Sequence, residues 1–141
     1  MTSWLESQFS LTGKKALVTG SSKGIGASIA QALAQAGADI VLVGRTKDSL
    51  EATKSAIIDI GRKVEIILCD VSSADAIKEA FSDIAALKVD ILINNAGSIS
   101  RAPAAEAQME EWNRIIDTNL NSVFQISQAC GRAMIAQGAG T

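Results

Sequence analysis

The sequence predicts one α/β domain in which a parallel sheet is covered by helices on both faces. Short aliphatic and β-branched runs alternate with longer helical patterns four times along the 141 residues. Those strand-like runs are almost continuously apolar, as strands buried on both faces must be. No fixed-period repeat, low-complexity tract or linker divides the chain, so residues 1–141 read as a single domain.

The first strand is KALVTG (15–20), short, apolar and closed by Gly20. GIGASIAQALAQAG (24–37) follows, with Ile25, Ile29, Ala32, Leu33 and Ala36 at helical spacing and Gly37 placed to end it. DIVLVG (39–44) is the second strand, and KDSLEATKSAIIDIG (47–61) is an amphipathic helix closed by Gly61. KVEIILC (63–69) is the third strand. It leads to a third helix over 72–87, capped by Ser72 or Ser73. VDILIN (89–94) is the fourth strand. After a loop holding Pro103, residues 109–138 read as one long helix, open to interruption, with Trp112 packing on it.

Bulk properties exclude several classes. A hydrophobic fraction of 48% with 20% charged residues belongs to a globular chain, not a disordered one. The net charge of −2 offers no basic face for nucleic acid, and aromatics for base stacking are scarce. No apolar run approaches the roughly 18 residues of a membrane span. The start, MTSWLESQFSLTGKK, lacks the pattern of a signal peptide, so a cytoplasmic protein is expected. Cys69 and Cys130 read as small apolar fillers in a reducing compartment, and no metal-ligand spacing is present. The chain has no His and no Tyr, the groups used most often for proton transfer near neutral pH.

The stretch TGSSKGIG (19–26) is where chemistry is expected. A parallel strand that feeds a helix through a glycine-rich turn presents free N–H groups and the positive end of a helix dipole at one point. Glycine is needed there where φ is positive, or where a Cβ would hold the backbone away from a phosphate. Ser21 and Ser22 add hydroxyls that could donate to phosphate oxygens. The spacing from Gly20 is G-x-x-x-G-x-G; the dinucleotide fingerprint G-x-G-x-x-G is not met, because Ile29 stands at its third glycine. The ATPase loop fails too, since Gly24 is not followed by Lys-Ser. From the glycines alone, a nucleotide cradle and a plain structural turn both stand.

Four motifs in order, TGSSKGIG (19–26), CDV (69–71), NNAG (94–97) and NLNSVF (119–124), resemble the short-chain dehydrogenase/reductase family. The likeness runs from Leu11 to the last helix, and is nearest to bacterial sugar-acid dehydrogenases of the gluconate and deoxygluconate kind. It implies a Rossmann-like doubly wound sheet with strand order 3-2-1-4, the family's later strands lying outside this chain. It implies that Gly20, Gly24 and Gly26 shape a pyrophosphate turn, with Ser21, Ser22, Lys23 and Ile25 beside it. Asp70 and Val71 would hold the adenine, and Asn94, Ala96 and Gly97 would line the ribose side. Without the resemblance, Asp70 reads as a helix-capping carboxylate, and Asn94 and Asn95 as a polar turn.

An NAD-specific site places an acid at the end of the second strand, about 20 residues beyond the glycines. Here that strand ends in Gly44 and Arg45, and Asp39 lies at its opposite end. Arg45 offers a planar fork for a 2′-phosphate, and Lys23 adds a second positive charge, so NADP is the expected cofactor.

The family's proton relay uses a Ser, a Tyr, a Lys and a helix Asn. Asn119 matches the last of these. The others would lie beyond Thr141, so the 141-residue chain is expected to be a catalytically silent part of a protein of roughly 250 residues. It would end in the turn before a fifth strand, leaving VDILIN with a bare apolar edge. The expected function is alcohol–ketone interconversion on a small molecule, a sugar acid being one candidate. The family further implies a homodimer or homotetramer assembled through the long helix. Ser98 to Arg101 could rim the substrate cleft, with Arg101 suited to a carboxylate. Two alternatives are a dinucleotide-binding or interaction module without catalysis and an AdoMet-dependent methyltransferase; the glycine spacing and NNAG argue against the second.

Overall fold

A computed structural model describes residues 3–141. Helix α1 (Trp4–Phe9) precedes β1 (Lys15–Thr19), α2 (Gly24–Gln35), β2 (Asp39–Gly44), α3 (Lys47–Asp59) and β3 (Val64–Leu68). There follow α4 (Ala74–Ala80), α5 (Ile84–Leu87), β4 (Ile91–Ile93), a 3-10 turn (Ala104–Glu106), α6 (Met109–Ile116), a π-helical turn (Asp117–Asn121) and α7 (Ser122–Gln137). The strands pair in parallel in the order β3-β2-β1-β4, with Leu17 opposite Val41 on one side and Leu92 on the other. This is the parallel, helix-covered sheet that the alternating pattern predicts, in the doubly wound, Rossmann-like order that the family resemblance implies.

Alternation along β1 and β2 divides the core in two. Leu17, Val41 and Val43 face Ile77, Phe81, Ile84, Ile126 and Cys130 of the α4, α5 and α7 layer. Ala16, Val18, Ile40 and Leu42 face Ala30 and Ala34 of α2 and Leu50 and Ile57 of α3. Each large aliphatic side chain buried in this way contributes roughly 1.5–3 kcal/mol of transfer free energy. The alanines of α2 bring its backbone close to the sheet, and this brings the glycine turn close to the strand ends.

Three elements differ from the sequence reading. The third helix breaks after Ala80, where the Ser82 hydroxyl donates to the Glu79 carbonyl at 2.8 Å and competes with the helical ladder. The long C-terminal helix is widened at the π-helical turn. There Thr118 Oγ1 donates to Arg114 O (2.8 Å), Ser122 Oγ to Thr118 O (2.6 Å) and Asn121 Nδ2 to Asp117 Oδ1 (2.7 Å), satisfying groups that the wider turn loosens. Helix α1 lies ahead of the first element that the alternating pattern marks; Ser3 and Glu6 form a capping box at its start.

The edge of β4 is not wholly bare. The Thr141 N–H donates to Asp90 O and the Leu92 N–H to Thr141 O, both at 2.8 Å, the pattern of a parallel bridge centred on Ile91. Trp112 is 57% exposed and does not pack as expected. No helix among the described residues is long and apolar enough to cross a membrane. Cys69 and Cys130 are buried free thiols. Burial, joined at Cys69 by the Asp70 charge, pushes both up to about 11.

Candidate functional site

Because the strands run in one direction, Thr19, Gly44, Leu68 and Ile93 end at one edge of the sheet. The strand order reverses between β1 and β4, the place where an open α/β sheet opens a crevice for a ligand. Two loops meet there, the glycine turn after β1 and Asn94–Gly97 after β4.

The two loops are locked by backbone contact. A Cβ on Gly20 would lie 2.9 Å from Ala96 Cα, and one on Gly26 would overlap both the Gly20 carbonyl oxygen and Asn95 Nδ2. Gly24 has room for a side chain, but its φ of +58° favours glycine. Asn95 Nδ2 donates to Thr19 O (3.0 Å) and Gly20 O (3.1 Å). Thr19 Oγ1 in return accepts the N–H groups of Asn95 and Ala96, both at 3.0 Å. The organising role of Thr19 and Asn95 is not legible in the sequence, because nothing local to either motif shows that they meet.

This lock presents a row of donors. Among the described residues, the N–H groups of Ser22, Lys23, Gly24, Ile25 and Gly26 find no acceptor. Lys23 caps α2 without a side-chain hydrogen bond, so the positive end of the helix dipole is uncompensated. The Ile25 side chain, 74% exposed, stands beside these donors. The arrangement fits a pyrophosphate, which needs several N–H donors and close backbone approach.

Ser21 corrects one expectation. Its side chain is fully buried, and its hydroxyl accepts the Val43 N–H at 3.1 Å and donates to Val43 O at 3.4 Å. Its own N–H donates to Val43 O at 3.3 Å. Ser21 therefore ties the turn to β2 and has no hydroxyl left for a phosphate. Ser22 is half-buried, and its carbonyl accepts the Thr53 hydroxyl at 3.3 Å.

At the ends of β2 and β3, Arg45 and Asp70 line one shallow depression of ≈330 Å³, with Leu68 and Glu79. Asp70 Oδ1 accepts the Ser72 hydroxyl (2.8 Å) and N–H (3.0 Å). These two bonds, with the Arg45 charge, hold the carboxyl below its ordinary range despite partial burial. Asp70 is thus ionised at neutral pH, with Oδ2 free to accept. Val71 is half-buried and packs against the core. Asp39 pairs with Arg62 at 2.7 Å at the far end of β2. A second depression of ≈470 Å³ lies at that opposite edge, beside Lys14, Lys88 and Gln137. Helices α5 and α7 turn their carboxyl ends toward it, which disfavours a phosphate there.

Asn94 Nδ2 donates to Ser127 Oγ on α7 (2.9 Å). Asn119 sits in the π-helical turn, where its side-chain amide exchanges two hydrogen bonds with the backbone of Ser98, each 2.8 Å. Gly97 lies beneath it, with room for a Cβ 3.6 Å from Asn119 Oδ1. Arg101 is exposed. The loop after β4 is therefore fastened to α7 and to the widened turn.

A family model described as short chain dehydrogenase matches residues 14–141. The chain belongs to the short chain dehydrogenase family. A gluconate 5-dehydrogenase of Gluconobacter oxydans is 42% identical over 137 residues, covering 94% of this chain and 52% of that protein. A 2-dehydro-3-deoxy-D-gluconate 5-dehydrogenase of Pseudoalteromonas atlantica is 46% identical over 139 residues, covering 94% and 54%. A 3-oxoacyl (acyl-carrier-protein) reductase structure from Agrobacterium tumefaciens with NADP bound superposes with a TM-score of 0.89, at 36% identity, over 96% of this chain and 53% of that one. The chain spans about half the length of the dehydrogenases it matches.

Proposed function

We propose that this short-chain dehydrogenase chain supplies the dinucleotide-binding half of an NAD(P)-dependent oxidoreductase that interconverts an alcohol and a ketone on a sugar acid. The row of unbonded N–H groups from Ser22 to Gly26, at the head of α2 and in the sheet crevice, carries this reading. Sugar-acid dehydrogenases among the relatives support the substrate class.

In this reading Gly20, Gly24 and Gly26 shape the pyrophosphate turn, and Ser22, Lys23 and Ile25 border it. Asp70 accepts from the adenine amine beside Val71, and Asn94, Ala96 and Gly97 wall the ribose side. Arg45, helped by Lys23, takes a 2′-phosphate, so NADP is preferred over NAD; a neighbour that binds NADP is in keeping with this. When bound, the nicotinamide supplies or accepts the hydride. Asn119 fastens the loop after β4 and belongs to the proton relay. In the family that relay is completed by a Ser, a Tyr and a Lys; these 141 residues hold no Tyr, so the Tyr of the relay would come from outside them.

The protein acts in the cytoplasm as a homodimer or homotetramer. Trp112, Leu120 and Phe124, all more than half exposed along α6, the π-helical turn and α7, form the contact face.

The test is titration of the full-length protein with NADPH and NADH, followed by cofactor fluorescence. NADPH binding about 10- to 100-fold tighter than NADH is expected from one added charge-assisted hydrogen bond. Binding of neither cofactor would overturn the reading.

A further inference from the structure

We propose that Thr53 is a positioning residue that sets the distance between the glycine turn and Arg45, and through it the choice between the two dinucleotides. The inference rests on the dinucleotide reading above and extends it to a residue on α3 outside every glycine or NNAG motif.

The direction of one hydroxyl carries the argument. A Thr or Ser inside a helix ordinarily donates to a carbonyl of its own preceding turn. Thr118 and Ser122 do so in this chain, donating to Arg114 O and Thr118 O. Thr53 does not. It is 3% exposed in the middle of α3, and its Oγ1 reaches across to Ser22 O at 3.3 Å.

Holding that carbonyl fixes more than the carbonyl. In a trans peptide the C=O and the following N–H point in opposite directions. With Ser22 O drawn toward α3, the Lys23 N–H is aimed away from α3, and it is one of the unbonded donors of the turn. Ser21 fastens the neighbouring residue to β2 through its bonds with Val43. Arg45 lies in the short link between β2 and α3, and Thr46 caps α3 by accepting from Ser49 N at 3.3 Å. The glycine turn is therefore fastened on both sides of Arg45, to the strand before it and to the helix after it.

A dinucleotide holds its pyrophosphate and its ribose 2′ group at a constrained separation, so a site that uses both must keep them in register to within about 0.5 Å. NADPH uses both anchor points, whereas NADH uses the turn and has no 2′-phosphate for Arg45. Loosening the Thr53 tether should therefore harm NADPH more than NADH.

The test compares Thr53→Val, which keeps the shape and removes the hydroxyl, with Thr53→Ser, which keeps the hydroxyl. Dissociation constants for NADPH and NADH are measured on the full-length protein by fluorescence titration, with unfolding midpoints alongside. Thr53→Val should reduce the NADPH-over-NADH preference about 3- to 10-fold, the range set by one lost hydrogen bond, and Thr53→Ser should restore it to within about 2-fold. Equal weakening of both cofactors, or an unchanged ratio, would overturn the positioning role even if stability falls. A wild-type protein that binds neither cofactor would instead overturn the dinucleotide reading, and the Thr53 role with it.

Discussion

Asn119 and Ser98 exchange two 2.8 Å hydrogen bonds, the Asn119 amide donating to the Ser98 carbonyl and accepting its N–H. Both bonding groups of the side chain are thereby used on the backbone of the loop after β4. Asn119→Ala should lower stability by about 1–2 kcal/mol, since each net hydrogen bond contributes roughly 0.5–1.5 kcal/mol and the site is exposed. Asn119→Asp should also destabilise, because a carboxylate oxygen would then face the Ser98 carbonyl. Urea unfolding of the two variants checks this; wild-type stability in both would show that the pair holds nothing.

Gly26 and Gly24 are glycines for different reasons, so their alanine variants should differ. Gly26→Ala meets the Gly20 carbonyl and the Asn95 amide, and forcing a methyl into such packing costs about 1–3 kcal/mol. It should also weaken dinucleotide binding, because both displaced groups shape the turn. Gly24→Ala meets no atom and carries only the strain of a left-handed backbone, about 1–2 kcal/mol. Thermal unfolding with NADPH titration separates the two.

Arg45→Asp should weaken NADPH binding by one to two decades and leave NADH binding equal or better, because the carboxylate repels a 2′-phosphate and can accept from a 2′-hydroxyl. Titration with both cofactors checks it. An unchanged NADPH dissociation constant would remove Arg45 from the site.

Asp70 makes a pH-dependent contribution to stability. Ser72 bonds and the Arg45 charge lower its pKa in the folded chain below the ordinary value of 3.8. The folded state therefore favours the carboxylate, and its stabilising effect is complete at neutral pH and lost as the pH falls below about 4. Asp70→Asn should be less stable than wild type at pH 7, with the gap narrowing at pH 3. Urea midpoints at the two pH values check the sign, and a gap of constant size would contradict it.

The fold was legible because buried parallel strands announce themselves. KALVTG and DIVLVG are apolar throughout, and the observed strands fall within a residue of the expected ends. VDILIN is the exception: only Ile91–Ile93 pair in the sheet, since Asn94 has already turned toward Ser127. The glycine turn was legible too, because positive φ and close packing leave a residue-type signature at Gly20, Gly24 and Gly26. What stayed hidden depends on contacts between distant segments. Nothing beside Ser21 shows that its hydroxyl meets Val43, and nothing beside Thr53 shows that it reaches Ser22. The π-helical turn was hidden for a related reason, as its three side-chain bonds use residues that suit an ordinary helix equally well.

The central claim is that the N–H row from Ser22 to Gly26 holds a dinucleotide pyrophosphate. A crystal structure of the full-length protein grown with NADP tests it most directly. Phosphate oxygens are expected within about 3.2 Å of several of those nitrogens, with the 2′-phosphate beside Arg45. A dinucleotide bound elsewhere, with those N–H groups left to solvent, would contradict it.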